Sequence, residues 1–358
     1  MKLFSCDHCG NTVYFENAVC ERCGHALGYE PTRNVLVSLE PDDGLFRSPA
    51  LEERFGYCAN AVHGACNWLV PAGGEDAFCL ACRHNETIPP LDSPANLLHW
   101  QTIERAKKRL IYSLLRLGLP LETRAENPEH GLAFRFLADA PDERVMTGHD
   151  NGIITIALAE ADDAERERRR TSMGEPYRTL LGHFRHEIGH HYWDLLVSGQ
   201  PILDRFRSLF GDESADYGDA LQAYYASGAP IGWYQTHISA YATAHPWEDF
   251  AESFAHYLHI IDTVETAAAF GVRARPRTQD DNLAIPPVTF DPYMAPDIEV
   301  IVDNWVPLAS LLNNLNRAVG QPDAYPFILT PAVVDKLGFI NGLVHQAPAM
   351  AHLAALEK

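Results

Sequence analysis

Residues 183–194 read HFRHEIGHHYWD, four histidines and one glutamate within little more than three helical turns. His186 and His190 are four apart, a spacing that returns to nearly the same direction one turn along a helix, so both imidazoles can reach one metal ion. Glu187 projects beside that pair, placed to hold a water without binding the metal. His183 lies three residues before His186 on nearly the same side and reads as a polar residue at a cleft rim. His191 is rotated about 100° from His190 and turns away. This H-E-x-x-H arrangement has the mechanics of zinc-assisted hydrolysis.

Two histidines leave such an ion short of a protein ligand. A third histidine shortly after the motif is ruled out, because residue 193 is Trp and residue 196 is Leu. The later stretch HPWEDFAESFAHYLH, residues 245–259, reads as a helix opened by Pro246. Its apolar set Phe250, Phe254, Tyr257, Leu258 and Ile261 marks a core-facing stripe. Glu248 and Glu252 stand one turn apart on another face, with His256 a turn further and Asp249 pointing elsewhere. On the motif helix, Leu181, Phe184, Ile188, Tyr192 and Leu195 form an opposite face apolar enough to sink it in the core. Gly189 is expected to leave room beside the metal. The helix itself is predicted to run from near Pro176 to near Gly199, with Pro201 beyond as a stop signal.

All eight cysteines lie in the first 82 residues, in two groups of four. Cys6, Cys9, Cys20 and Cys23 form two C-x-x-C-G knuckles. The two-residue gap turns both thiolates onto one tetrahedral ion, and the glycine permits the positive φ of a tight turn. Cys58, Cys66, Cys79 and Cys82 form a second group whose upstream half is looser, with His63 inside it as a substitute ligand or, more simply, a surface histidine. Both groups are expected to hold structural zinc.

The formal net charge is −20, and residues 1–95 carry six basic against thirteen acidic side chains. That balance argues against nucleic acid and anionic membrane as partners, and points to a protein partner at the ribbons. The N-terminus shows no apolar signal core and no run reaches the length of a membrane span, so the chain reads as cytoplasmic, with reduced thiols. Residues 85–96, with three prolines, are expected to be a linker. A helix is predicted over residues 97–118, strands over GLAFRFLADA and NGIITIAL (residues 151–158), and a solvated helix face or loop over AEADDAERERRR.

His186, Glu187 and His190, followed by E-x-x-x-E at 248 and 252, resemble the gluzincin metallopeptidases. That resemblance implies Glu248 as third zinc ligand and Glu252 as the acid bracing a ligand histidine, with Asp249 as the competing ligand. It also implies an oxyanion donor at Tyr241 of HISAYATAHPWE, a role His237 or His245 would contest. More narrowly, FCLACRHNETIP, TGHDNGIITIALAEADD, YRTLLGHFRHEIGHHYWD and HPWEDFAESFAHYLHIIDT are similar to the bacterial zinc-binding metallopeptidases with an N-terminal zinc ribbon.

The resemblance implies an α+β fold: a double zinc-ribbon module over residues 1–95, then a zincin-like domain over 96–358, mostly helical in its C-terminal half. It implies one catalytic and one or two structural Zn2+, a peptide or protein substrate, and amide hydrolysis with Glu187 as general base. By fold analogy, the strand near IITIAL would pair edge-on with an extended substrate. The 57 residues between His190 and Glu248 are expected to cover or shape the cleft. Two other readings compete: a ribbon-based binding or sensing module whose peptidase site is silent or self-processing, and a protease acting near DNA, which the acidic ribbons disfavour.

Overall fold

The computed structural model describes residues 2–139, 145–173, 178–276 and 284–356. The chain divides into two compact units, residues 1–115 with 121–168, and residues 116–120 with 169–358. The expected division at residue 95 runs through the first of them.

The first unit opens with β1 (Phe4–Ser5) and β2 (Thr12–Val13), paired antiparallel with Phe4 opposite Val13. Gly10 and Gly24, the residues after each C-x-x-C, sit at φ 72° and 76°, and their amides donate back to the carbonyls of Cys6 and Cys20 at 2.8 Å. A side chain would resist that left-handed turn. Strands β3 (Ala26–Glu30), β4 (Val35–Asp42), β5 (Leu45–Ser48), β6 (Glu53–Tyr57) and β7 (Leu69–Pro71) follow as an antiparallel meander in sequence order. Val37, Leu39, Phe55 and Leu69 pack on its inner face. A bridge between Tyr29 and Trp68 brings the first strand back to the last.

Residues 85–96 do not begin as a linker. Asn85–Thr87 form β8, which pairs in parallel with β9 (Ala133–Leu137). The buried His84 adds a hydrogen bond of 3.0 Å between its Nδ1 and the Leu132 carbonyl. Helix α1 (Pro94–Leu117) comes between them in sequence, with Glu104 buried between Lys107 and Lys108 at 2.8 and 2.7 Å. Strand β10 (Gly148–Asp150) returns on β11 (Ile153–Ala157) through Asn151 and Gly152, both at positive φ, the two-residue turn an Asn-Gly pair favours. The sheet order is β10-β11-β9-β8. Strand β11 therefore has neighbours on both sides, and the expectation that it offers a free edge to substrate is overturned by the hairpin that covers it. The acidic run after it becomes a short turn and helix α2 (Asp163–Met173).

The second unit is helical: α3 (Leu180–Leu196), α4 (Leu203–Phe210), α5 (Tyr217–Ser227), α6 (Pro246–Ala269), α7 (Ile298–Ala318) and α8 (Pro331–Leu356). Pro176, the expected start of the motif helix, lies outside the described residues. Helix α3 starts later, capped by Thr179, whose hydroxyl accepts the Gly182 amide at 2.9 Å. It ends at Leu196, before Gly199 at φ 67°. Helix α6 opens at Pro246 as expected, with the His245 side chain accepting the Trp247 amide. Phe184, Ile188 and Tyr192 are fully buried, with the Tyr192 ring stacked on Phe254 at 5.7 Å. Phe206, Phe210, Phe250 and Phe339 join α4, α6 and α8 in one aromatic cluster. The whole is α+β with a cysteine-rich N-terminal module and a helical C-terminal region.

Candidate metal centre

Helices α3 and α6 are the frame of the site. Arg185, 2% exposed, clamps them: its guanidinium meets Asp262 Oδ2 and His259 Nδ1, each at 2.6 Å. Gly189 lets them approach. A side-chain carbon there would lie 2.9 Å from Ala251 Cα and 3.2 Å from its carbonyl oxygen. The glycine thus serves helix contact, and the expectation that it leaves room beside a metal is corrected.

That contact carries His186 and His190 onto the first turns of α6. Potential ligand atoms of His186, His190 and Glu248 all lie within 4.8 Å of one another. The two Nε2 atoms are 3.2 Å apart, and Glu248 stands 3.0 Å from His186 Nε2 by Oε2 and 3.6 Å from His190 Nε2 by Oε1. His186 Nδ1 is 2.7 Å from Glu252 Oε1. A carboxylate only accepts, so that contact places the ring proton on Nδ1 and leaves the Nε2 lone pair aimed at the group. Glu248 Oε2 is buried and makes no aligned hydrogen bond. His186 Nε2 and Glu248 Oε2 are acceptors turned toward one another, an arrangement that a cation between them relieves. A tetrahedral ion with zinc–nitrogen bonds of about 2.0–2.1 Å spaces its ligands about 3.3 Å apart, close to the distances found.

The electrostatics agree with that reading. Burial opposes charge on His186, yet the Glu248 and Glu252 carboxylates beside it lift its pKa well above the ordinary value, so positive charge is favoured there. Burial likewise opposes a charged Glu248, but the two imidazoles hold its carboxyl well below the usual range. The set is built to surround positive charge. Glu187 is buried one residue after His186, where its charge is felt at the Tyr217 hydroxyl. Tyr241 begins a short 3-10 turn and lies with its ring centroid 6.0 Å from that of His186. Burial, then the charge of Glu248, pushes its phenol pKa upward, so it stays a proton donor.

The other candidates are occupied elsewhere. Asp249 gives Oδ2 to Lys336 at 2.5 Å, which withdraws it from ligation. His245 uses Nδ1 at the Trp247 amide and Nε2 at the Ala215 carbonyl, so it is committed to capping α6. His237 lies 3.0 Å from the Thr236 hydroxyl by Nδ1 and 3.6 Å from Asp249 by Nε2. His256 is buried against Tyr325 at 2.8 Å. His191 is buried with its ring edge-on to Tyr192, and His183 stands outside the ligand group. The residue that sequence reasoning missed is Tyr217, the first of α5, whose hydroxyl donates to Glu248 Oε1 at 2.7 Å. Its only sequence signal is its place in the long segment before Glu248, directly after the capping Asp216.

Each four-cysteine group also comes together. Sulfur–sulfur distances are 3.8 Å for Cys6–Cys23 and 3.6 Å for Cys9–Cys20. They are 3.7 Å for Cys66–Cys79 and 3.9 Å for Cys66–Cys82. These are the edges of a tetrahedron with metal–sulfur bonds of about 2.3 Å, far longer than a disulfide. His63 is exposed, edge-on to Trp100, and outside the second group.

A histidine–histidine–glutamate centre on two core helices, with two four-cysteine groups earlier in the chain, defines a zinc metalloprotein. Residues 96–343 match the family described as "Putative zinc-binding metallo-peptidase", and residues 3–93 match a zinc-ribbon domain. The chain belongs to that metallopeptidase family. It is 44% identical over 349 residues, 97% of its length and 96% of theirs, to "Uncharacterized protein Rv2568c" of Mycobacterium tuberculosis strain H37Rv and "Uncharacterized protein Mb2598c" of Mycobacterium bovis. No solved structure matches the chain. Among the described residues, no helix is long and apolar enough to cross a membrane.

Proposed function

We propose that this chain is a zinc-dependent peptidase in which His186, His190 and Glu248 hold the catalytic ion and Glu187 is the general base. The observation that carries the reading is the convergence of His186 Nε2, His190 Nε2 and Glu248 Oε2, two half-buried imidazoles and a buried carboxylate, with a second carboxylate behind one imidazole. Zinc bound there supplies a Lewis acid that brings the acidity of a water toward neutrality and polarises the scissile carbonyl. Glu252 holds the His186 ring in one tautomer and orientation, the usual duty of a carboxylate behind a metal-binding histidine. Glu187 accepts the proton of the attacking water at its carboxylate and delivers it to the departing amine. Tyr241, kept protonated by its surroundings, donates to the oxyanion that develops on the peptide carbonyl. The two four-cysteine groups hold structural zinc and take no part in hydrolysis.

The test is a cleavage assay on unfolded protein substrates with the metal-loaded full chain. Chelation should abolish cleavage and stoichiometric zinc should restore it. Cleavage that survives a chelator able to empty the centre contradicts the reading.

A further inference from the structure

Tyr217 belongs to a helix with no buried residue, yet its own side chain is half-buried. Its ring packs against His245 and Trp247, at 5.3 and 5.6 Å between centroids, immediately before Glu248 in sequence. Its hydroxyl reaches Glu248 Oε1 at 2.7 Å. The two oxygens of Glu248 are thereby distinguished. Oε1 is committed to a phenol, while Oε2 lies 3.0 Å from His186 Nε2 and has no aligned donor.

We propose that Tyr217 is a positioning residue for the metal centre: its hydrogen bond to Oε1 leaves Glu248 one oxygen for the ion and so keeps a coordination position open for water. The inference rests on Glu248 being the third ligand. The physical reason is competition. A carboxylate free at both oxygens can close on a metal with both and fill the place a water needs, since catalytic zinc sites work with three protein ligands and an open fourth position. Holding one oxygen by a donor also fixes the rotation of the carboxylate, which removes freedom that metal binding would otherwise have to remove. The same bond anchors α5, which also packs Tyr224 on Tyr241 at 5.7 Å.

The experiment uses the full chain with zinc kept in the cysteine groups and the histidine–glutamate centre emptied and reloaded. For Tyr217→Phe, which retains the ring packing, the zinc Kd of the centre should rise about 10- to 100-fold, as for other partners behind a ligand. With cobalt in the centre, the visible d–d absorption should change in position and intensity, because a second carboxylate oxygen takes the fourth position from water. A structural role alone would not move that spectrum while the melting curve stays that of wild type. An unchanged Kd overturns the inference, and so does an unchanged spectrum with a raised Kd. Glu248→Gln is run beside it. If that variant binds zinc as tightly as wild type, Glu248 is no ligand and the underlying reading fails; if it loses zinc while Tyr217→Phe does not, only the role of Tyr217 fails.

Discussion

Gly189 on α3 faces Ala251 on α6 so closely that an added side-chain carbon would lie 2.9 Å from the Ala251 Cα. Backbone cannot retreat as a flexible side-chain tip can. Gly189 immediately precedes His190, and Ala251 lies within one turn of Glu248, so the distance between the helices sets how His190 and Glu248 meet.

Gly189→Ala should therefore destabilise the protein by about 1–3 kcal/mol, the cost of overpacking, even though alanine favours helix over glycine by about 1 kcal/mol. Urea titration measures the loss, and zinc affinity at the centre should fall with it. A more stable variant would show that the helices have slack.

Arg185 is the second fastener. Arg185→Ala removes the guanidinium that joins buried Asp262 to His259, and breaking such a pair costs about 3–5 kcal/mol. Denaturant unfolding of the variant should show a loss of that size. A loss below about 1 kcal/mol would mean that water reaches Asp262.

Burial depresses the pKa of His256 to about 4, against an ordinary value of 6.5. Between those values the unfolded chain binds the proton and the folded one does not, so the contribution is present above pH 6.5 and is lost as pH falls toward 4. It amounts to about 3 kcal/mol at most. His256→Gln, which keeps a partner for the Tyr325 hydroxyl, should flatten the stability profile between pH 7 and 5. Parallel profiles would place the acid sensitivity elsewhere.

Cys20 is fully buried in the first four-cysteine group. Cys20→Ser should lower the zinc content by one ion per chain and open residues 3–30 to proteolysis, since metal binding and folding are one event in so small a ribbon. Elemental analysis reads the first outcome, and an unchanged zinc count would contradict the assignment.

The parts legible in the sequence were those whose partners are local. His186 and His190 are linked by helical spacing, and each C-x-x-C-G writes its own turn. Asn151–Gly152 marks its hairpin in two residues, but the covering of β11 by the three-residue β10 shows only in the fold. The later helix and its acids were legible from the residues, but the choice of Glu248 among them rests on resemblance, because 57 residues separate it from His190 and periodicity carries no information across that gap. Strand β8 is three residues long, and its parallel partner starts near residue 134, so no alternation announces it. Tyr217 and the true use of Gly189 are tertiary facts: each acts on α6 from another helix. The partners of His245 likewise emerge only when the chain is folded, and they commit both of its ring nitrogens.

The central claim is that Glu187 performs proton transfer at a zinc centre it does not help to bind. The direct measurement is mass-spectrometric readout of a proteome-derived peptide library incubated with zinc-loaded wild type and with Glu187→Gln. The account predicts cuts with wild type alone, and a variant that keeps the full zinc content. Equal cutting by Glu187→Gln, or no cutting by either protein with the centre loaded, would contradict it.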